Sequence, residues 1–264
     1  FIERLIRYAN KVAEDKMSTQ NTLFGAMDGG SGFQIQQPKV ENVEEWGNIE
    51  KLRYEKEVVG FYISGHPLDQ FAMEMSLCRP LDNTLLDKEN KDKEFTIGGV
   101  VTSANIRQSK NGNQFGIYRL EDYAGSLEIA LFGKDFIEFS RYFIPEAFIY
   151  IKGKVMGRWG KDDELEFKPQ LIDLLSEMKE KRLKEMKLKL DINSLDVSMV
   201  DALKNLILKN PGKFGLKVDV YDPQNQYDIA LFSRTVKIEI TKELHQKMTA
   251  LLGSENVSLN WYSV

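Results

Sequence analysis

The chain has little that enzymes of its size usually rely on. Among 264 residues there is one cysteine, Cys78, and two histidines, His66 and His245. A single cysteine excludes an internal disulfide framework and fits a reducing cytosol. Cys78 itself reads as a small buried hydrophobe. Two isolated histidines supply neither a metal site nor a catalytic triad. No apolar run approaches the roughly 18 residues of a membrane span, and no signal peptide opens the chain. Gly29-Gly30-Ser31-Gly32 precedes no strand–helix unit and no Lys-Ser pair, which excludes a phosphate-cradling loop. Charge of one sign is also scarce. The net charge is −4; residues 1–94 carry −5, residues 95–178 carry −2 and residues 179–264 carry +3. Any contact with nucleic acid must therefore come from a local stripe.

What is present is ordinary for a folded protein, with 42% apolar and 29% charged residues, enough for two or three small domains. The pattern over 1–17 is helical, with Leu5, Ile6, Ala9, Val12 and Ala13 on one face. It reads as the end of a helical domain, and a chain starting at Phe1 inside a helix is expected to be a piece of something longer. Residues 18–42 are rich in Gly, Ser, Gln and Asn, a composition that builds no core. Residues 43–94 read as a helical connector. It has a helix over 43–63 that shows Leu52, Val59 and Ile63 on one face and stops at Ser64-Gly65, then a short helix over 68–77 and a charged connection over 82–94.

From Phe95 the apolar period changes to two. Strands are expected over 95–109, 114–121, 126–132, 147–158 and 164–175, with a hairpin turn at Asn111-Gly112-Asn113 and a helix over 134–142. Three strands, a helix and two strands over 95–178 is the order of a five-stranded OB-fold barrel. In the second strand, Gly116, Tyr118 and Leu120 are assigned inward and Phe115, Ile117 and Arg119 outward. A single-strand-binding surface would combine Phe115 and Arg119 with Arg107 and Lys110 on one loop and Arg158, Trp159 and Lys161 on another. The alternative is that Phe115 and Trp159 plug the barrel ends. Residues 177–187 read as a solvated helical bridge. Residues 179–264 form an α+β module with strands over 188–192, 215–221, 227–232, 235–240 and 257–261, and helices over 197–208 and 244–252. The whole is an α+β multidomain chain.

The most specific string is residues 55–69, EKEVVGFYISGHPLD. It resembles a segment that marks bacterial replicative DNA polymerase III alpha subunits, the family C polymerases. A second string, Gln20-Asn21-Thr22-Leu23-Phe24, puts an exposed Leu-Phe pair in a segment without a core, which suits an anchor awaiting a partner. It is similar to that family's sliding-clamp-binding motif, with Gln20, Leu23 and Phe24 as contacts. The resemblance implies a clamp peptide, a barrel touching single-stranded template DNA, and a final module binding the clamp loader's tau subunit, in a cytoplasmic replisome. It also implies that the catalytic carboxylates, which hold Mg²⁺ in the full polymerase, lie before the matched segments. This chain is then expected to hold no cofactor and do no chemistry. Two other readings stay open: an interaction scaffold whose barrel never touches DNA, and a free-standing OB-fold single-strand binder.

Overall fold

The computed structural model describes residues 1–17, 37–40, 44–158, 161–225 and 227–262, so Gln20, Leu23, Phe24 and Trp159 lie outside the described residues. The chain divides into two compact units, Phe1–Val58 and Val59–Val264. The first contains helices α1 (Ile2–Met17) and α2 (Asn48–Val59). Leu5 and Ile6 of α1 are exposed, while Leu52 of α2 is buried. The helix expected over 43–63 is shorter at both ends. It stops at Val59 because Gly60 takes φ +91°, a left-handed conformation that costs a residue with a β-carbon more than glycine. Gly65 is not its stop, and Val59 and Ile63 are exposed rather than part of a buried stripe.

The GHPLD string does a different job. His66 caps a single 3-10 turn, Pro67–Phe71: its Nδ1 accepts the Leu68 N–H at 3.2 Å, and Asp69 Oδ2 accepts the His66 N–H at 2.8 Å. This reciprocal pair is a capping box, with Pro67 at the first turn position where a missing N–H costs nothing. Helix α3 (Ala72–Met75) follows at once.

Strands β1 (Glu94–Gln108), β2 (Gln114–Glu121), β3 (Ser126–Phe132), β4 (Phe148–Arg158) and β5 (Lys161–Leu174) form one antiparallel sheet in the order β3-β2-β1-β4-β5. Helix α4 (Gly133–Phe139) joins β3 to β4, and β3 meets β5, which closes the barrel. This is the expected OB architecture, with strands close to their expected bounds. The core is built from alternate residues, among them Ile97, Leu120, Ile129, Ile149, Ile151 and Val155. The connection over 82–94 is not merely charged: Leu85 within it, and Leu81 just before it, are buried in this core. Asp122 fixes the β2–β3 turn. Its Oδ1 accepts the Ala124 and Gly125 N–H groups, and its Oδ2 accepts the Leu81 N–H at 2.8 Å.

The segment expected as a solvated helical bridge is helical to Arg182, but only one side of the helix is solvated. Helix α5 (Leu175–Arg182) runs straight from β5 into strand β6 (Leu183–Asp191) and buries Leu175 and Met178 against Leu68, Met75 and Tyr150. Helix α6 (Val197–Lys209), capped by the Asp196 carboxylate on the Met199 N–H, carries the chain to β7 (Pro211–Asp222), parallel to β6. Leu203 of α6 is buried, but Val200 is exposed. Strand β8 (Tyr227–Phe232), helix α7 (Lys242–Leu252) and β9 (Val257–Trp261) complete a sheet in the order β8-β7-β6-β9. Residues 235–240 are not a strand. Ile238 bridges only to Pro211 and Phe214, yet Ile238 and Ile240 are fully buried. Their alternation comes from packing into the core beneath the sheet, not from a ladder.

Candidate nucleic-acid interface

Strand β2 decides which side chains the barrel offers to solvent. Gly116, Tyr118 and Leu120 face inward and are buried. At this inward position only glycine fits, because the Tyr118 ring lies across it; a β-carbon there would come within 2.2 Å of the Tyr118 oxygen. The opposite face therefore carries Phe115, Ile117 and Arg119, as alternation requires.

Cross-strand register arranges that outer face in rows. Arg107 of β1, Phe115 of β2 and Phe132 of β3 are successive partners. Phe115 and Phe132 stack with ring centroids 5.2 Å apart and planes 19° from parallel. Phe132 is more than half exposed. The next rows are Asn105–Ile117–Ala130 and Ser103–Arg119–Glu128. Arg119 donates to Ser126 Oγ from Nε and Nη2, at 3.1 and 2.7 Å. Lys110 sits in the β1–β2 turn, which Gly112 allows at φ +81°.

The second loop contributes less than its composition suggests. Arg158 is held by Glu164 at 3.0 Å, so its charge is already balanced. Lys161 is its backbone partner across the β4–β5 hairpin. By register this hairpin extends past Glu94 at the start of β1, whereas Arg107 and Lys110 are at the other end of that strand. Arg107, Phe115 and Arg119 share one face; Arg158 lies on no row with them. Phe132 and Glu128 are absent from the sequence-derived set, although the alternation of β3 already places both outward.

The barrel is tied to the GHPLD turn beneath it. Tyr123, in the β2–β3 turn, donates its hydroxyl to Asp69 Oδ1 at 3.1 Å. Its ring meets that of His66 at 4.5 Å, and Tyr62 packs edge-on to His66 at 5.0 Å. Burial, then the bond to the Asp69 carboxylate, pushes the Tyr123 phenol well above its ordinary range. Burial likewise pushes the Cys78 thiol up to about 12, which removes it from nucleophilic chemistry at neutral pH. His66 is thus a structural hydrogen-bonding residue. Among the described residues, no three His, Cys, Asp or Glu side chains gather as metal ligands would, and no helix is long and apolar enough to cross a membrane.

Comparison with known proteins adds family information. Residues 95–175 match the family described as OB-fold nucleic acid binding domain, and residues 186–257 match DNA polymerase III alpha subunit, C-terminal domain. DNA polymerase III subunit alpha of Aquifex aeolicus is 34% identical over 56% of this chain and 12% of its own length. That of Borreliella burgdorferi is 28% identical over 87% of this chain and 20% of its own. Among solved structures, the mitochondrial single-stranded DNA binding protein Rim1 of S. cerevisiae is 19% identical with a TM-score of 0.26, over 32% of this chain and 97% of that one. The chain thus spans a fifth or less of the length of these two curated relatives. An OB-fold domain followed by the polymerase C-terminal domain, with similarity along most of the sequence, makes this chain a relative of the C-terminal part of DNA polymerase III alpha subunits.

Proposed function

We propose that this chain is a tethering part of a replicative DNA polymerase. It holds single-stranded template on the outer face of β1, β2 and β3, a sliding clamp through Gln20, Leu23 and Phe24, and the tau subunit of a clamp loader through residues 179–264. The observation that carries the DNA reading is the Arg107–Phe115–Phe132 row: two stacked, accessible rings beside a guanidinium offer a base a flat apolar surface and its phosphate a cation. Chemistry is left to the longer polymerase. With template, primer, Mg²⁺ and nucleotides, this chain extends nothing.

The test is titration with labelled oligo(dT), sliding clamp and tau in turn. Two or three phosphate contacts give a log–log salt slope of about −1.4 to −2.1 with single strands, and duplex binds more weakly. Clamp binding is lost when Leu23 and Phe24 are both changed to Ala, with no change in melting temperature. The scaffold reading has its own support: Glu128 beside Arg119, and Glu164 on Arg158, weaken the positive stripe. A salt-independent signal, or equal affinity for duplex, would leave the scaffold reading in place of the DNA one.

A further inference from the structure

A cavity of about 500 Å³ opens between helix α3 and the C-terminal module, within the size range of small-molecule sites. Three elements wall it. Helix α3 and the residues after it bring Met73, Ser76 and Leu77. Helix α7 brings Lys242, His245 and Gln246, which stand three and four residues apart and so share one face. Strand β9 brings Leu259 and Trp261, which alternate with Ser258 and Asn260 and lie on the side of the module core. Met73, Leu77, Leu259 and Trp261 are all half-buried, so each keeps some apolar surface in contact with solvent.

One charge lines the cavity, and it is positive. Lys242 Nζ donates to the Asp69 carbonyl at 2.8 Å, which holds the ammonium between α7 and the GHPLD turn. A carbonyl accepts this bond without cancelling the charge, and Lys242 forms no ion pair with a described residue. No carboxylate is among the described lining side chains. Burial lowers the pKa of His245, so its imidazole is neutral at neutral pH. His245 and Gln246 therefore add hydrogen-bonding tips and no charge. Such walls suit a ligand with one negative charge on an otherwise apolar body.

We infer that this cavity binds a small carboxylate with a flat apolar body. The body lies on Met73, Leu77, Leu259 and Trp261, and the carboxylate meets Lys242. A phosphate ester fits less well, because its charge of about −1.5 to −2 would face a single cation between apolar walls. A neutral body leaves the ammonium without its counter-charge. A cavity of this size encloses a small molecule, whereas a second copy of the chain would need a matching surface of about 800 Å² a side. The inference goes beyond the tethering function and does not depend on it.

The experiment titrates the full chain with hydrocinnamate, with its neutral amide and with phenyl phosphate. Binding is followed at the Trp261 indole N–H resonance, which a Trp261→Phe variant identifies. Expected is a dissociation constant on the order of 1 mM or below for hydrocinnamate, as a compact ligand allows. The amide and the phosphate ester should bind roughly five-fold more weakly, the worth of an exposed ion pair. Lys242→Met keeps the apolar stem and should make acid and amide bind alike, while Lys242→Arg should keep the preference for the acid. Ser76→Phe fills the cavity from an exposed position and should abolish binding of every probe with an unchanged circular dichroism spectrum. If that variant does not fold, Gln246→Phe blocks the same space from α7. No binding of hydrocinnamate at millimolar concentration, equal binding of the acid and either other probe, or a preference that outlives Lys242→Met would each overturn the proposal. So would binding that survives the cavity-filling variants, or a chain dimer that they dissociate. The oligo(dT), clamp and tau titrations are read separately, so the tethering function and the cavity stand or fall independently.

Discussion

Two strands of this molecule share five residues in a row apart from one acid, and their environments are opposite. Strand β3 ends Glu128-Ile129-Ala130-Leu131-Phe132; strand β8 ends Asp228-Ile229-Ala230-Leu231-Phe232. Both are outer strands of their sheets. Ile129 and Leu131 are 1% exposed, whereas Ile229 and Leu231 are 56% and 52% exposed. The alternation is the same in each, because period-two geometry is local. What differs is the far side: β3 bends round to meet β5, while nothing described lies beyond β8. A sequence of this length sets which residues share a face. Closure of the sheet, set by residues far away in the chain, sets whether that face is covered.

Leucine at the matched positions gives the sharpest test. Leu131→Ala should cost about 2–5 kcal/mol, as deletions from well-packed cores do, and Leu231→Ala less than about 0.5 kcal/mol; urea unfolding of both variants measures the difference. Equal losses would mean that β8 is covered after all. Next in size is Asp122→Ala at the turn leading into β3. It leaves the N–H groups of Leu81, Ala124 and Gly125 without their acceptor, a loss on the order of 3 kcal/mol. Asp122→Asn, which keeps an acceptor oxygen, should recover part of the loss.

The aromatic ends separate the strands by function. Phe132→Ala should weaken oligo(dT) binding by about 1–3 kcal/mol at every salt concentration, while Phe232→Ala should leave it unchanged. Retention of full affinity by Phe132→Ala would remove the stacked pair from the DNA path.

The smallest effect lies at the joint between the two sheets. Glu74 of α3 is only 5% exposed, and its Oε2 has no hydrogen-bond partner among the described residues. Burial raises its pKa, with the Lys179 charge acting the other way. A carboxyl raised on folding binds its proton more tightly in the folded state, so its ionisation destabilises the fold as pH rises above the unfolded value of about 4.3. Glu74→Gln should therefore melt above the parent at pH 8 and level with it at pH 4.

The barrel was legible in the sequence almost strand by strand, because β2 and β3 alternate cleanly and glycine or Asn-Gly marks the turns. The small Gly116 and the apolar Leu120 on one face of the second strand pointed to the inward side that the structure has. The interruptions were harder. The helix over 43–63 stops early at Gly60, whose left-handed backbone no periodicity reveals. Residues 235–240 alternate like a strand because Ile238 and Ile240 are buried by packing rather than by pairing. The charges of 177–187 concealed that Met178 is core. At the candidate interface, the shared outer face of Phe115 and Arg119 followed from alternation, whereas Arg107, expected on the loop, is a β1 residue paired with Phe115. The loss of Arg158 to Glu164 did not follow, since which carboxylate a hairpin arginine finds depends on the twist and bulge of the β4–β5 pair.

Helix α5 has a mechanical consequence. Leu174 ends β5 and Leu175 opens the helix; Arg182 closes it and Leu183 opens β6, so no slack residue separates barrel from module. Asp173 grips Lys181 and Arg182, Lys179 reaches Glu239, the Arg182 carbonyl takes the Tyr262 N–H at 2.7 Å, and Lys242 reaches back to the Asp69 carbonyl at 2.8 Å. A strut eight residues long, about 12 Å, braced at both ends, bends little. A protein that takes hold of the module therefore also aims the barrel, turning the Phe115–Phe132 face with it as a handle turns a blade.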